Sequence, residues 1–331
     1  MKIAVIGGGT MGMTYARNIA KIENVRAAGI CDANRERAER AAQVCGTNAY
    51  TDADELLSSE RPDLVCVCLP TPLHKEFVGK LAGQGVHVIC EKPIALDLDE
   101  ADQMIEVCAQ HGVRLFIGHV VRFFPAYRDA AERVKAGAIG SAGIAHFKRF
   151  GAYPEGEGDW YRDRAKSGGV IMDLMIHDID FARTVFGEAE SVYANVSRTS
   201  HPDMEYAQVT LRFSGGRMAI LEGLWGYPGA FTTAFEIAGR QGVIRFDSSQ
   251  AYSRMTKVHG GEKGRAEPVQ VPRSTMLHDP YHDELLHFID CIRSGKEPLV
   301  GVRDAYEAVK IALAAEQSVR TKQPVGLEDL R

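Results

Sequence analysis

Residues 2–12 read KIAVIGGGTMG, and the reading of the first third of the chain depends on them. A short apolar run leads into Gly7, Gly9 and Gly12, spaced G-x-G-x-x-G. A helical pattern begins at Met11, and the next apolar run closes on Asp32, twenty residues past Gly12. Each part has a task if the ligand is a dinucleotide. The glycines allow a tight turn and close approach of backbone to pyrophosphate, the helix N-terminus offers N–H donors and positive dipole, and the acid accepts ribose hydroxyls. A glycine-rich turn with no ligand is the competing reading of the triplet alone. The strand before it, the helix after it and Asp32 set that reading aside.

Outward from this stretch, short apolar runs alternate with helical patterns: VRAAGICD then NRERAERAAQV, DLVCVCLP then PLHKEFVGKLAGQG, VHVIC then LDEADQMIEVCAQHG, and finally VRLFIGH. Runs of four to seven β-rich residues without polar alternation imply strands covered on both faces, a doubly wound parallel α/β sheet. LDLDEADQ supplies aspartates before a helix and AQHGV a glycine after it, the expected start and stop chemistry. After residue 119 the period changes. SVYANVSR, YAQVTLRF, RMAILEGLW and TTAFEIAG alternate as half-buried strands of a mostly antiparallel open sheet, with a helix over 171–186 ahead of them and helices near 279–293 and 303–321 behind. Domains of 1–119 and 120–331, the second α+β, are therefore expected.

The whole chain is consistent with a small-molecule protein. Its 331 residues suffice for two domains and a cleft between them. With 44 acidic against 39 basic side chains and no block of like charge, neither nucleic acid nor an anionic membrane is an expected partner. The N-terminus enters a strand at once, without signal-peptide character, and no run approaches the ~20 apolar residues of a membrane span. Seven cysteines are an odd count, and Cys66 and Cys68 alternate along one strand and cannot pair. Reduced thiols in the cytoplasm fit this usage.

Residues 171–180, IMDLMIHDID, place three aspartates and a histidine in an apolar run. At about 100° per residue, Asp173, His177, Asp180 and Thr184 share one stripe of the predicted helix. A buried unpaired carboxylate is expensive, so this seam is expected to face water, a partner, a metal or a ligand cavity. Asp180 and Thr184 continue it toward solvent, with a purely local role for Asp180 equally open. In doubly wound folds the ligand lies beyond the carboxyl ends of the strands, where GGGTMG, CDANR, CLPTPLH, CEKPIA and GHVVRFFP fall. Lys92, in EKP after VHVIC, is thereby placed near the reactive end of a bound cofactor.

Taken in order, G-x-G-x-x-G, Asp32, TPLH, CEKP, GHVVRFFP, SGGVIMDLMIHDID and IRSGKEPLVGVRDAYEAVKIALAAEQS resemble the glucose–fructose oxidoreductase/inositol dehydrogenase/rhizopine catabolism (Gfo/Idh/MocA) family over essentially the whole chain. The resemblance implies a Rossmann domain joined to an α+β domain whose open sheet builds dimers or tetramers. It also implies an NAD-dependent dehydrogenase acting on a secondary alcohol of a sugar, inositol-like polyol or sugar derivative. By position, Lys92, Asp173 and His177 become the catalytic residues. Lys92, Asp173, His177 and Arg122 become the substrate contacts. Gly7, Gly9, Thr10, Met11, Gly12, Asp32, Leu69, Thr71, Pro72, His74, Glu91 and Lys92 become the cofactor contacts. His119 stands where many members carry asparagine.

The chemistry accounts for the seam independently, since oxidising a secondary alcohol needs a base within reach of the hydroxyl. His177 is expected to be that base, Asp173 to hold it or a substrate hydroxyl, and Lys92 to stabilise alkoxide character. Asp32 would repel a 2′-phosphate, so NAD is expected over NADP, with Arg35 and Arg37 pulling the other way.

Other readings stand beside these. Asp173 and His177 would ligate a metal only with a third ligand such as His119 or His74, and no strong candidate for a metal is evident. YEAVK at 306–310 matches a short-chain dehydrogenase pattern in the wrong domain and is read as chance. Trp225, Tyr227 and Phe231 are read as packing or interface before sugar stacking, while Tyr281 and His282 stay open as substrate contacts. Two functional alternatives remain: an NAD-retaining glycosidase or epimerase working by transient oxidation, and a non-catalytic NAD-binding regulatory protein.

Overall fold

A computed structural model of the chain describes residues 1–198, 203–250, 279–328 and 330. Strands β1 (Lys2–Ile6), β2 (Arg26–Cys31), β3 (Ala49–Tyr50), β4 (Leu64–Val67), β5 (His87–Glu91) and β6 (Leu115–Gly118) form one sheet in the order β3-β2-β1-β4-β5-β6. Every pairing in it is parallel. The apolar runs are explained by their two faces. Ile3, Val5, Ile30, Leu64, Cys66, Ile89 and Phe116 pack under the helices Thr10–Ile19 and Arg35–Cys45. Ala4, Ile6, Val65, Val67, Val88, Cys90 and Ile117 meet Leu56, Val78, Leu81 and Met104 on the other side. Aspartate start signals behave as expected: Asp97 accepts from the Glu100 amide at the head of the helix Leu98–Gln110.

One assignment by sequence order is changed by packing. The helix Pro280–Ser294, expected to serve the second half, contributes Leu285, Phe288, Ile289 and Cys291 to the same core as Ile3, Tyr15 and Phe116. Phe288 stacks on Phe116 at 4.7 Å between centroids. The first two helices cover the β1–β2 side of this face and leave β5 and β6 bare, so a late segment returns to bury them.

The second sheet comprises β7 (Ala142–Gly151), β8 (Ala189–Arg198), β9 (Glu205–Phe213), β10 (Met218–Trp225), β11 (Thr232–Gly239), β12 (Val243–Asp247) and β13 (Val325–Gly326). Their order is β12-β11-β7-β10-β9-β8-β13, with β7–β10 the one parallel pairing among the described residues. Inward residues such as Ala207, Val209, Leu211 and Phe213 alternate with outward Tyr206, Gln208, Thr210 and Arg212. The helices Gly169–Asp173, Ile176–Phe186 and Val302–Thr321 cover the inner face. The other face of the sheet carries Ile144, Phe150, Ile220 and Leu224 among Lys148, Gln208, Thr210 and Glu222, so apolar and polar side chains share it. No helix among the described residues is long and apolar enough to cross a membrane.

Candidate active site

The turn after β1 has the geometry expected of a dinucleotide-binding turn. Gly7 has φ +101°, a region that favours glycine, and a Cβ there would run into the Cys68 carbonyl. A Cβ on Gly12 would strike the Gly7 carbonyl, so helix and strand close only because both lack one. Around Gly9 a Cβ would meet nothing within 4 Å. Gly9 also N-caps the helix Thr10–Ile19 with no side-chain cap, leaving first-turn N–H groups to an incoming anion. Thr10 is exposed and Met11 half-buried beside this opening. These features fit a pyrophosphate.

Asp32 is 8 % exposed at the end of β2. Its Oδ2 accepts from the Gly8 amide at 2.7 Å and its Oδ1 from the Asn34 amide at 2.8 Å, while Arg37 Nη2 donates to Oδ1 at 2.6 Å. Burial raises its pKa, but the bonds from Arg37, Asn34 and Gly8 outweigh that and hold the carboxyl below its ordinary value. The acid expected to accept ribose hydroxyls thus has a guanidinium on it.

The loops after β4 and β5 are tied to each other. His74, expected to touch the cofactor, is 1 % exposed, with Nδ1 3.0 Å from the Pro93 carbonyl and Nε2 2.9 Å from the Leu69 carbonyl. With both ring nitrogens against backbone carbonyls, it pins the loops after β4 and β5 to each other and has no nitrogen free for a ligand. Leu69 and Lys92 are half-buried and Pro72 exposed, whereas Thr71 and Glu91 are buried. The Lys92–Pro93 bond is cis.

Lys92 reaches across to the second half. Its Nζ donates to Asp173 Oδ1 and to the Asp173 carbonyl, both at 2.8 Å. Asp173 ends the helix Gly169–Asp173, and the next begins at Ile176, so the expected continuous helix is interrupted. The amides of Leu174 and Met175 both bond to the Val170 carbonyl at 3.0 Å, a one-residue widening of the turn of a kind often found at functional sites. With it, Met175 packs against Gly223 of β10, where a Cβ would collide with it. Among the described residues no hydrogen bond joins Asp173 to His177.

The three aspartates of this segment part company. Asp178, off the expected seam and 1 % exposed, receives Arg149 Nε and Nη2 at 2.8 Å each. Asp180, 0 % exposed and not at solvent as expected, receives Arg122 Nε at 2.8 Å and Nη2 at 2.6 Å. Arg122 also donates to the Leu299 carbonyl and to Asp304, which engages its donors within the chain and leaves its expected substrate contact unsupported. Thr184 donates to the Asp180 carbonyl and lines a separate cavity of about 870 Å³ with Phe181, Val185 and His287.

His177 is half-buried, and its Nδ1 is closed off without a partner. Burial first, then Lys92, Arg149 and His119, hold its pKa well below 6.5, so the ring stays neutral. Its ring stands nearly perpendicular to that of His119, with centroids 6.2 Å apart.

Some residues escaped the sequence reading. Arg149 sits on the inward phase of β7 with Ala145 and Phe147, a signal that a buried acid awaited it. Tyr161 feels the Asp173 and Glu91 charges and, with burial as the main cause, titrates high. Trp225, read as packing or interface, is 2 % exposed and lies 6.0 Å from Tyr161, so it supports this wall rather than a partner. Behind Lys92, Glu91 is pushed up to about 7 chiefly by burial, near Tyr15 and the fully buried Glu284. Tyr306 of YEAVK packs under Arg303.

Residues 1–119 match the NAD-binding Rossmann fold of the Gfo/Idh/MocA oxidoreductase family, and residues 131–327 match its C-terminal alpha/beta domain. A myo-inositol 2-dehydrogenase of Thermotoga maritima is 31% identical over 339 residues, covering 100% of this chain and 99% of that protein. A scyllo-inositol 2-dehydrogenase (NAD(+)) of Bacillus subtilis is 30% identical over 341 residues, covering 99% and 96%. The crystal structure of a probable dehydrogenase from Thermotoga maritima superposes with a TM-score of 0.85 at 30% identity, over 100% of both chains.

Proposed function

The chain belongs to the Gfo/Idh/MocA oxidoreductase family, and from that premise we propose that it is an NAD-dependent dehydrogenase of an inositol-like polyol or related sugar, with residues 1–119 holding the cofactor and 120–331 the substrate. The observation that carries this reading is the 2.8 Å bridge from Lys92 of the cofactor half to Asp173 of the other, with His177 one turn beyond. Gly7, Gly9, Thr10, Met11 and Gly12 would receive the pyrophosphate and Asp32 the adenosine ribose, with Leu69, Thr71, Pro72, Glu91 and Lys92 alongside. Bound NAD supplies the hydride acceptor. His177, kept neutral by its surroundings, takes the hydroxyl proton at Nε2. Two Lys92 N–H donors go to Asp173, and the third is left for the developing alkoxide. Asp173 fixes the ammonium and binds a neighbouring hydroxyl.

The test is a panel of inositols, aldoses and nucleotide sugars with NAD and with NADP. Formation of NADH with a polyol is expected. Product formation without NADH would support transient oxidation instead, and inertness toward every member would favour a regulatory role. We propose NAD over NADP because Asp32 repels a 2′-phosphate. The Arg37 contact opposes this, and a higher kcat/KM with NADP would overturn it. Seven free cysteines support a cytoplasmic setting. A homodimer or homotetramer is proposed through the mixed outer face of the second sheet, and sedimentation as a monomer at micromolar concentration would refute it.

A further inference from the structure

We infer that His119 is a positioning residue that holds the His177 imidazole in the tautomer able to act as base, with Asp180 holding His119 in turn. The inference rests on the reading of His177 as the base.

A neutral imidazole has one N–H and one lone pair. For Nε2 of His177 to accept a substrate proton, Nδ1 must carry the hydrogen, and a buried N–H without an acceptor is left with its desolvation uncompensated. Asp173 is the expected acceptor, but the widened turn at Leu174–Met175 separates the two, and Asp173 holds Lys92 instead. The orphaned Nδ1 of His177 has a counterpart. His119 is 0 % exposed, and both of its nitrogens are buried and unpartnered. Three orphaned buried nitrogens on two facing rings point to a shared arrangement, because buried polar groups in folded proteins are nearly always satisfied by protein or by ordered water.

The rings stand edge to face, at 83° and 6.2 Å between centroids, a span one water or a small rotation closes. On the far side, His119 Nδ1 is 4.0 Å from Asp180 Oδ2, longer than a hydrogen bond and brought into range by the same rotation or a bridging water. Asp180 is itself fixed by Arg122, so its position does not depend on His119. The polarity then runs one way. Asp180 accepts from His119 Nδ1–H, His119 Nε2 accepts from His177 Nδ1–H, and His177 Nε2 faces the substrate. In turnover the hydroxyl proton moves to His177 Nε2, and the imidazolium keeps its Nδ1–H donated toward His119.

For this chain His119 must stay neutral. Around it lie Asp180, Arg122, Lys92 and Asp304, and burial, the dominant influence, lowers its pKa to about 4. Around His177 lie Lys92, Arg149 and His119, all of which disfavour a second positive charge.

The test uses the free enzyme labelled with 15N-histidine, together with steady-state rates on myo-inositol and NAD. Long-range 1H–15N correlation is expected to show His177 neutral with its proton on Nδ1. In His119→Phe, which keeps ring bulk without nitrogens, His177 is expected to become a mixture of tautomers. kcat should fall on the order of 10-fold or more while NAD binding stays unchanged, and His119→Asn, which restores a donor and an acceptor, should recover most of both signals. The inference is overturned if His177 carries its proton on Nε2 in the wild type, or if its tautomer is unchanged in a folded His119→Phe. The two failures are distinguishable: wild-type turnover by His177→Ala defeats the base assignment and this inference with it, whereas loss of turnover there with an unmoved tautomer in His119→Phe defeats this inference alone.

Discussion

The two ends of one polar segment, Asp173 with His177 and Asp178 with Asp180, carry the same kinds of residue and do opposite things. Asp178 and Asp180 each meet an arginine in a two-pronged contact, Arg149 and Arg122, with carboxylates at most 1 % exposed. Such pairs are complete within the chain and fasten the second-domain helix Ile176–Phe186 to β7 and to the segment Val120–Phe123. Asp173 instead meets a lysine, whose three donors exceed what Asp173 takes, and both side chains keep some exposure, 17% and 13%. His177 beside them has an orphaned nitrogen. A closed pair points to structure, and groups left partly exposed and partly unsatisfied are the candidates for chemistry.

The comparison breaks or sharpens through four measurements. The largest effect is expected for His177→Ala, a fall in kcat of roughly 10²- to 10⁴-fold, with unfolding stability and NAD binding close to wild type. In the wild type the acidic limb of kcat should lie below pH 6.5. The base works deprotonated, and its lowered pKa means that it is protonated only further into acid. A limb above 6.5 would remove His177 from that role.

Next comes Asp178→Ala, which strands the Arg149 charge in the interior. Breaking a buried pair costs about 3–5 kcal/mol, so denaturant unfolding should register a loss of that order while kcat per folded molecule survives. A large kcat loss at full stability would mean that the closed end also serves the chemistry.

Asp173→Asn keeps the shape while removing the charge that fixes Lys92. A kcat loss between those of wild type and His177→Ala is expected, with little change in unfolding midpoint, and an unaltered kcat would reassign Asp173 to packing.

The smallest effect belongs to the exposed pair Arg133–Asp129, 2.8 Å apart with side chains 61% and 57% accessible. Arg133→Ala should change stability by no more than about 1 kcal/mol. A loss matching that of Asp178→Ala would show that burial is not what separates these pairs.

Much of this was legible in the chain because it is written locally. The G-x-G-x-x-G turn and the unbroken strands follow from backbone sterics and from burial on two faces, and five of the six strands of the first sheet coincide with the apolar runs, while the two-residue β3 has no such run to announce it. Lys92, Asp173 and His177 were singled out as candidates by motif and residue chemistry, and the structure brings Lys92 and Asp173 into contact. Arg149 showed only as a charge on an inward strand position, and Asp178 not at all, since a helical wheel places it opposite the seam. The wheel also assumed 3.6 residues throughout, and the widened turn at Val170–Met175 breaks that assumption.

By itself, then, the sequence determined the Rossmann-type first half and the strands of the second sheet, because periodicity and turn chemistry act over a few neighbouring residues. Only the tertiary structure decided which acid meets which base, that Arg122 and His74 are held by their own chain, and that the helix Pro280–Ser294 completes the first domain's core. Those outcomes depend on contacts between residues 19 to about 180 positions apart. Side chains of the same type compete for such contacts, and packing in three dimensions, not local pattern, selects among them.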